Sequence, residues 1–194
     1  MGDLKIESTY FEKMGPVNTE KALNIAKKYA DELGIKEIVL ASTTGGVAEK
    51  AVEFFDTDKY NVVIVTHSFY FTGAKKRTEF PEDKMEAIEK RGATIVTATH
   101  AMSGIERHIR KEYKQWCFVD LMAKFLREQF SQGTKVCIEI ASMATDAGAI
   151  ESIDDDIICV GGTGHGADTV CLINPAPTRL FDQLRVKAIL AKPL

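Results

Sequence analysis

The sequence predicts an α/β fold: a three-layer α/β/α sandwich with a mainly parallel sheet and an added antiparallel or edge portion at the C-terminus. Short apolar runs typical of strands alternate with longer segments whose apolar residues recur at helical spacing. The run at 61–65 is apolar at nearly every position, which is typical of a strand covered on both faces. Strands that alternate with helices usually join into a parallel sheet.

A single domain spanning 1–194 is expected, because no linker, repeat or low-complexity segment divides the 194 residues. The formal charge of -3 gives no basic surface for nucleic acid or anionic lipid. No apolar run approaches the roughly 20 residues of a membrane span, and the start of the chain lacks the pattern of a signal peptide. We therefore expect a cytoplasmic location and neither a nucleic-acid nor a membrane partner.

The cysteines are widely spaced and lie in apolar surroundings, without the CxxC or Cys/His spacing of a zinc site. They are Cys117, Cys137, Cys159 and Cys171. Cysteine often behaves as a small buried hydrophobe, so we expect four buried free thiols and no metal.

The first half of the chain contains regular alternation of strands and helices. The first helix is expected to begin at Asn18 or Thr19, which can cap it, and to end at Gly34. Pro81 and Gly92 similarly delimit a short helix. The predicted strands lie at 5–11, 35–41, 61–65 and 93–97, and the two later helices at 47–55 and 82–90.

The second half is less regular. A glycine-containing segment at 101–110 leads to a helix at about 116–129. Residues 134–147 fit both strand alternation and helical spacing, but their length and the following Gly148 favour a helix. Strands are expected at 157–160, 169–174 and 184–190.

The turn Ser42–Gly46, between the second strand and the second helix, is the most informative stretch for function. A strand that passes directly into a helix leaves the first helical N–H groups unpaired beside the positive end of the helix dipole, which favours an anion such as phosphate. Ser42, Thr43 and Thr44 add hydroxyl donors, and Gly45 allows close approach. The same residues could instead only cap the helix.

Three other polar segments follow predicted strands, at the edge of the sheet where ligands of parallel sheets bind. They are Thr66–Ser68, Thr99–His100 and the glycine-rich 161–168. His67 and His100 are candidates for general acid–base chemistry, although either could simply hydrogen-bond a loop carbonyl. The GxGxG spacing within 161–166 opens no helix, which argues against a Rossmann site, and no P-loop or GxSxG motif occurs.

The segments Asn18–Glu20 and Gly34–Gly45 resemble the carboxy-terminal domain of pyruvate kinase, over roughly 18–100. In that domain a Thr/Ser/Gly turn holds a sugar-phosphate effector. The resemblance implies that Ser42, Thr43, Thr44 and Gly45 hold a phosphate here. This chain departs from the family at Gly46–Ala48, where the pyruvate kinase turn has a Gly-Arg-Thr-like sequence. Binding would therefore depend more on hydroxyl and backbone donors.

Nearly the whole chain is similar to a group of stand-alone, mostly archaeal proteins described as pyruvate kinase alpha/beta-domain-like. The shared segments are 41–42, 65–67, 100–104, 131–133, 135–141, 147–148, 161–163 and 166–169. Members of that group hold flavin mononucleotide (FMN), so the resemblance implies an FMN site. The residues that it implies as ligand contacts are Ser42, Thr43, Thr44, Gly45, Thr66, His67, His100, Gly162, Thr163, Gly164, Asp168 and Thr169.

The resemblance thus implies an FMN-binding flavoprotein whose chemistry, if any, would be flavin redox, without implying a particular reaction. Pyruvate kinase activity is not implied, because only one module is present. A non-catalytic regulatory or sensor module for a phosphorylated metabolite is the alternative, and an enzyme acting on a phosphorylated substrate through His67 or His100 is a third. The expected partner is a small phosphorylated ligand. The aromatic loop Phe69–Phe71 fits either a lid or a subunit contact, which leaves a homo-oligomer open.

Overall fold

The computed structural model describes residues 5–194, and its secondary structure consists of seven strands, six α-helices and two short 3₁₀ helices within that range. The strands are β1 (Thr9–Phe11), β2 (Glu37–Ala41), β3 (Asn61–Thr66), β4 (Thr94–Thr97), β5 (Ile157–Gly161), β6 (Thr169–Asn174) and β7 (Arg185–Pro193). The α-helices are α1 (Thr19–Leu33), α2 (Gly46–Phe54), α3 (Glu82–Glu89), α4 (Ile105–Tyr113), α5 (Phe118–Gln129) and α6 (Gln132–Asp146). The 3₁₀ helices are Pro16–Asn18 and Thr178–Gln183.

All seven strands of the described range form one sheet in the order β1-β7-β6-β5-β2-β3-β4. Every pairing is parallel except the two made by β6, with β5 and with β7. The predicted α/β class with a mainly parallel sheet is therefore confirmed. The antiparallel portion is β6 alone, since β7 returns to the common direction and pairs in parallel with β1.

The sheet is buried on both faces because successive side chains of a strand point to opposite sides. Ile38 and Leu40 of β2 pack into one apolar cluster together with α1 and α2. Val39, between them, packs into a second cluster that contains α6 and Ala123 of α5. The helices thus cover both faces of the sheet.

Helix α1 forms as its sequence predicts. Its residues Ala22, Ala26 and Ala30 recur at helical spacing and are almost fully buried against the sheet. Gly34 ends the helix in the left-handed conformation, with a φ of 69°, and its N–H donates to the carbonyl of Ala30.

One segment of ambiguous prediction is resolved, and two others differ from the predicted secondary structure. The segment 134–147 lies in helix α6, which begins at Gln132. Helix α4 was not predicted, although Ile105, Ile109 and Tyr113 recur at helical spacing, and none of its residues is buried. The first strand is limited to Thr9–Phe11, the three residues that pair with β7.

The four cysteines are all free thiols. Three are buried as expected, but Cys117 is partly exposed because it immediately precedes α5 rather than lying inside an element. Within residues 5–194, none of the helices has both the length and the apolar character that crossing a membrane requires.

Candidate functional site

A cavity of about 340 Å³ opens at the carboxyl edge of the sheet. Its walls come from the residues that follow β2, β3, β4 and β5, and from one face of α6. Ligands of parallel sheets bind at this edge, and the volume is within the range of small-molecule pockets. The contributions of α6 are Gln132, Lys135, Val136, Glu139, Ile140 and Met143, whose spacing follows one side of a helix.

The turn before α2 combines a helix cap with unpaired donors. Gly45 is the N-cap residue of α2, and Ser42 Oγ accepts a hydrogen bond from the N–H of Ala48 at 3.2 Å, so the serine pairs one N–H of the first helical turn. Within the described range, the backbone N–H groups of 43–47 donate to no protein acceptor. Because Thr43, Thr44 and Val47 line the cavity, their donors are available to an anion there.

Gly45 shapes this turn without lining the cavity. Its φ is +91°, and a Cβ atom at this position would lie 2.8 Å from a ring carbon of the buried Phe80. The backbone conformation and the ring packing therefore both require glycine.

Thr66 and His67, at the end of β3, both line the cavity. The Oγ1 atom of Thr66 is buried and has no hydrogen-bond partner among residues 5–194. A buried hydroxyl without a partner is unfavourable, so a bound molecule could satisfy it. His67 Nδ1 lies 2.8 Å from Glu79 Oε2, which orients the imidazole ring.

Lys135 and Glu139 form a buried ion pair one helical turn apart on α6, with only 2% and 4% of each residue exposed. Glu139 also accepts a hydrogen bond from the N–H of Met102 at 2.9 Å, which ties the loop after β4 to the helix. Burial raises the pKa of Glu139, but Lys135, His100 and these hydrogen bonds outweigh it, so the pKa is lowered overall. Burial also lowers the pKa of Lys135, against the opposing influence of Glu139.

His100 lies beside this pair, with Nδ1 4.0 Å from Glu139 Oε2. Burial lowers the pKa of His100 to about 4, and the nearby His67, Lys135 and Arg107 act in the same direction. The attraction of Glu139 opposes the shift without reversing it. His100 is therefore neutral at pH 7.

Three rings meet at one wall of the cavity. The centroid of the His67 ring lies 4.0 Å from that of Phe71 and 4.7 Å from that of His100. Phe71 and His100 are stacked at 5.1 Å, and the Arg107 guanidinium lies 4.5 Å from the centroid of Phe71. Phe71 thus faces the cavity, whereas Phe69 and Tyr70 of the same loop are exposed.

The glycine-rich loop connects β5 to β6, and Gly162, Gly164, His165 and Gly166 line the cavity. Asp168 and Thr169 were expected to contact a ligand, but they are fully buried and do not line the cavity. Asp168 Oδ2 accepts a hydrogen bond from the N–H of Gly15 at 2.7 Å, and Oδ1 accepts one from the Thr169 hydroxyl. These two side chains stabilise the loop. Thr163 also lies outside the lining.

Sequence reasoning did not single out several charged residues that the fold brings to the cavity. Lys135 and Glu139 belong to a shared segment, yet their i, i+4 spacing on an otherwise apolar helix was itself a signal of a buried ion pair. Arg107 and Arg127 come from α4 and α5, and nothing local in the sequence distinguishes them from solvated arginines.

The low pKa of His100 predicts that stability falls in acid. The unfolded histidine has a pKa near 6.5 and the folded one about 4, so between these values the unfolded state binds more protons. The contribution of His100 to the free energy of unfolding is complete above pH 6.5 and is lost as the pH falls to 4. The loss is roughly 3 kcal/mol, because each unit of pKa shift corresponds to about 1.4 kcal/mol. Denaturant unfolding of the wild type and His100→Gln across this range measures it. Equal pH slopes in the two proteins would contradict the prediction.

The sequence matches no model of a known protein family.

Proposed function

We propose that this protein binds FMN in the cavity at the carboxyl edge of the sheet, with the phosphate held at the Ser42–Gly46 turn. One observation carries the proposal. The unpaired donors of the turn and the ring cluster of His67, Phe71 and His100 face the same cavity. A molecule with a phosphate at one end and a flat ring system at the other could use both.

The turn has the donors that a phosphate requires. The unpaired N–H groups of 43–47 lie at the positive end of the α2 dipole, and the hydroxyls of Thr43 and Thr44 are near them. Phosphate oxygens accept such hydrogen bonds strongly because the acceptor is charged.

The rest of the cavity suits the remaining parts of FMN. The unpartnered Thr66 hydroxyl could bond the polar ribityl chain, and the exposed Gly164, where a Cβ atom would meet nothing within 4 Å, leaves room for it. The ring cluster would contact the flavin ring by stacking or edge contacts. When bound, FMN supplies redox chemistry. His67, oriented by Glu79, and the neutral His100 are the candidates for holding or moving a proton beside it.

We also propose that the fold is of the pyruvate kinase C-terminal type and that the chain is a member of the stand-alone group that it resembles. The order α1, β2, polar turn, α2, β3 supports this, as does the position of the turn at the ligand-binding edge. The proposal includes no pyruvate kinase activity.

A regulatory or sensor module for a phosphorylated metabolite is the second candidate. The volume of about 340 Å³ is near the lower end for ligand pockets, so a sugar phosphate would also fit. Calorimetry with sugar phosphates separates the two candidates, because only the sensor should bind them in preference to FMN.

Replacing both Thr43 and Thr44 by valine should weaken FMN binding about 100-fold or more, because each hydrogen bond to a charged group typically contributes about 1.5–3 kcal/mol and two are removed. Binding of riboflavin, which lacks the phosphate, should change much less. Fluorescence titration of the flavin measures both affinities.

The exposed Thr94 on β4 provides the matched control, since Thr94→Val removes a hydroxyl far from the turn and should leave both affinities unchanged. Equal losses of FMN and riboflavin affinity in the Thr43 and Thr44 variant would place the phosphate elsewhere.

A further inference from the structure

Two arginines line the cavity without an acidic partner among residues 5–194. Arg107 of α4 and Arg127 of α5 both face it, and within residues 5–194 neither lies within 4.0 Å of a carboxylate oxygen, the distance that defines an ion pair. The neighbouring Arg110 differs, because its Nε lies 3.2 Å from Asp120 Oδ1. Arg107 and Arg127 are therefore the cavity's unpaired cations within the described range.

Each of the two guanidinium groups is oriented by a hydrogen bond that its own Nε donates. Arg107 Nε donates to Ser103 Oγ at 3.0 Å, and Arg127 Nε donates to Gln132 Oε1 at 2.7 Å. No hydrogen bond from the terminal nitrogens of either arginine to the rest of the described chain is present. Each side chain is thus held in place while its terminal nitrogens remain available for a bidentate contact with an oxyanion.

The charge of the cavity also favours an anion. Glu139 pairs with Lys135 and also attracts Arg127, and Glu79 is the other carboxylate that lines the cavity, so the three cations Arg107, Arg127 and Lys135 outnumber the two carboxylates. Burial is the main cause that lowers the pKa of Arg127, but a guanidinium remains protonated at neutral pH. Keeping a partly buried cation without a counter-ion costs stability, which a bound anion would offset.

The arginines and the turn belong to opposite sides of the sheet. Val47 and Ala48 of α2 pack in the apolar cluster on one face. Ala123 and Leu126 of α5, next to Arg127 in sequence, pack in the cluster on the other face. The cavity at the edge of the sheet therefore has donors for an anion on two separate walls.

We propose that Arg107 and Arg127 form a second anion site, which binds the carboxylate or phosphoryl group of a small molecule other than the one whose phosphate occupies the turn. Because the cavity is shared and measures only about 340 Å³, the second molecule would be a short anion at the wall formed by α4 and α5, beside the first ligand, as a co-substrate or an effector is. The site depends on the two guanidinium groups and not on the identity of the ligand at the turn.

Calorimetric titration of the full chain with succinate and with inorganic phosphate, at constant ionic strength set with chloride, tests this site. We expect at least one probe to bind at millimolar concentration, and its identity distinguishes a carboxylate from a phosphoryl ligand. Arg127→Gln and Arg107→Gln should each weaken binding about 10-fold or more. Arg127→Lys should give a smaller loss, because it retains the charge without the planar fork.

Arg110→Gln is the matched control, since Arg110 pairs with Asp120 and does not line the cavity, and it should bind the probe like the wild type. Valine at Thr43 and Thr44 should also leave succinate binding unchanged. Thermal unfolding of every variant establishes that it is folded. The proposal is overturned if the wild type binds neither probe, or if folded Arg107→Gln and Arg127→Gln bind it with unchanged affinity.

The outcome is independent of FMN. If FMN does not bind, the succinate titration of the free protein still tests the arginines. If FMN binds, the titration is repeated with FMN saturating, and the probe should still bind. Simple competition between FMN and succinate would instead indicate a single site and would contradict the proposal.

Discussion

Glu139→Gln is expected to lower the free energy of unfolding by about 3–5 kcal/mol, because it leaves the buried Lys135 ammonium without its counter-ion. Glutamine has nearly the same volume and still offers an oxygen to the N–H of Met102, so the loss isolates the charge. Denaturant unfolding at pH 7 measures it.

The double variant Lys135→Met with Glu139→Gln is the informative control. It removes both charges, and replacing a whole buried ion pair costs less than removing one partner. It should therefore be more stable than Glu139→Gln alone. The exposed pair of Lys84 and Glu49, at 2.9 Å, provides the comparison for the single change, since Glu49→Gln should cost less than about 1 kcal/mol. If Glu139→Gln lowers the free energy of unfolding no more than Glu49→Gln does, Lys135 and Glu139 are not a buried, charged pair.

Gly162→Ala is expected to lower the free energy of unfolding by about 3 kcal/mol, the upper part of the usual range for overpacking. A Cβ atom at Gly162 would lie 2.2 Å from the carbonyl oxygen of Gly166 and 2.8 Å from Cα of Ala167. These neighbours are backbone atoms, so no side-chain rotation can relieve the collision and the loop must open. Because Gly162 also lines the cavity, FMN affinity should fall together with stability.

Gly46→Ala is the control, because it replaces a glycine by alanine without the steric collision expected at Gly162. Gly46 is the first residue of α2, and a Cβ atom there would meet nothing within 4 Å. Its thermal midpoint should stay close to that of the wild type, since surface changes usually alter stability by less than about 0.5 kcal/mol. Equal thermal midpoints for Gly162→Ala and Gly46→Ala would contradict the inference that the glycine-rich loop is closely packed around Gly162.

Much of the fold could be predicted because its signals are local. The stop at Gly34, the apolar run in β3 and the polar turn after β2 each contain the residues that determine their conformation. Helix α4 was missed although Ile105, Ile109 and Tyr113 give it helical spacing; what the sequence does not show is that this helix packs beside α5 without burying any of its residues. The parallel pairing of β1 with β7 joins the two ends of the chain, and periodicity carries no information about such a contact.

The residues of the candidate site also fall into those that the sequence predicts and those that it does not. Ser42, Thr66, His67 and His100 were predicted to share one edge of the sheet because each follows a strand, and they do line one cavity. Asp168 was expected to contact a ligand and instead bonds Gly15, which is distant in sequence, so only the folded chain reveals this contact. Arg107 and Arg127 reach the cavity through the packing of α4 and α5, which the sequence pattern does not specify.

Titration of the purified protein with FMN, in parallel with riboflavin, tests the central proposal most directly. We expect FMN to bind at micromolar concentration and more tightly than riboflavin, because only FMN carries the phosphate that the Ser42–Gly46 turn would hold. A protein that is purified colourless and takes up no FMN at micromolar concentration would contradict the proposal.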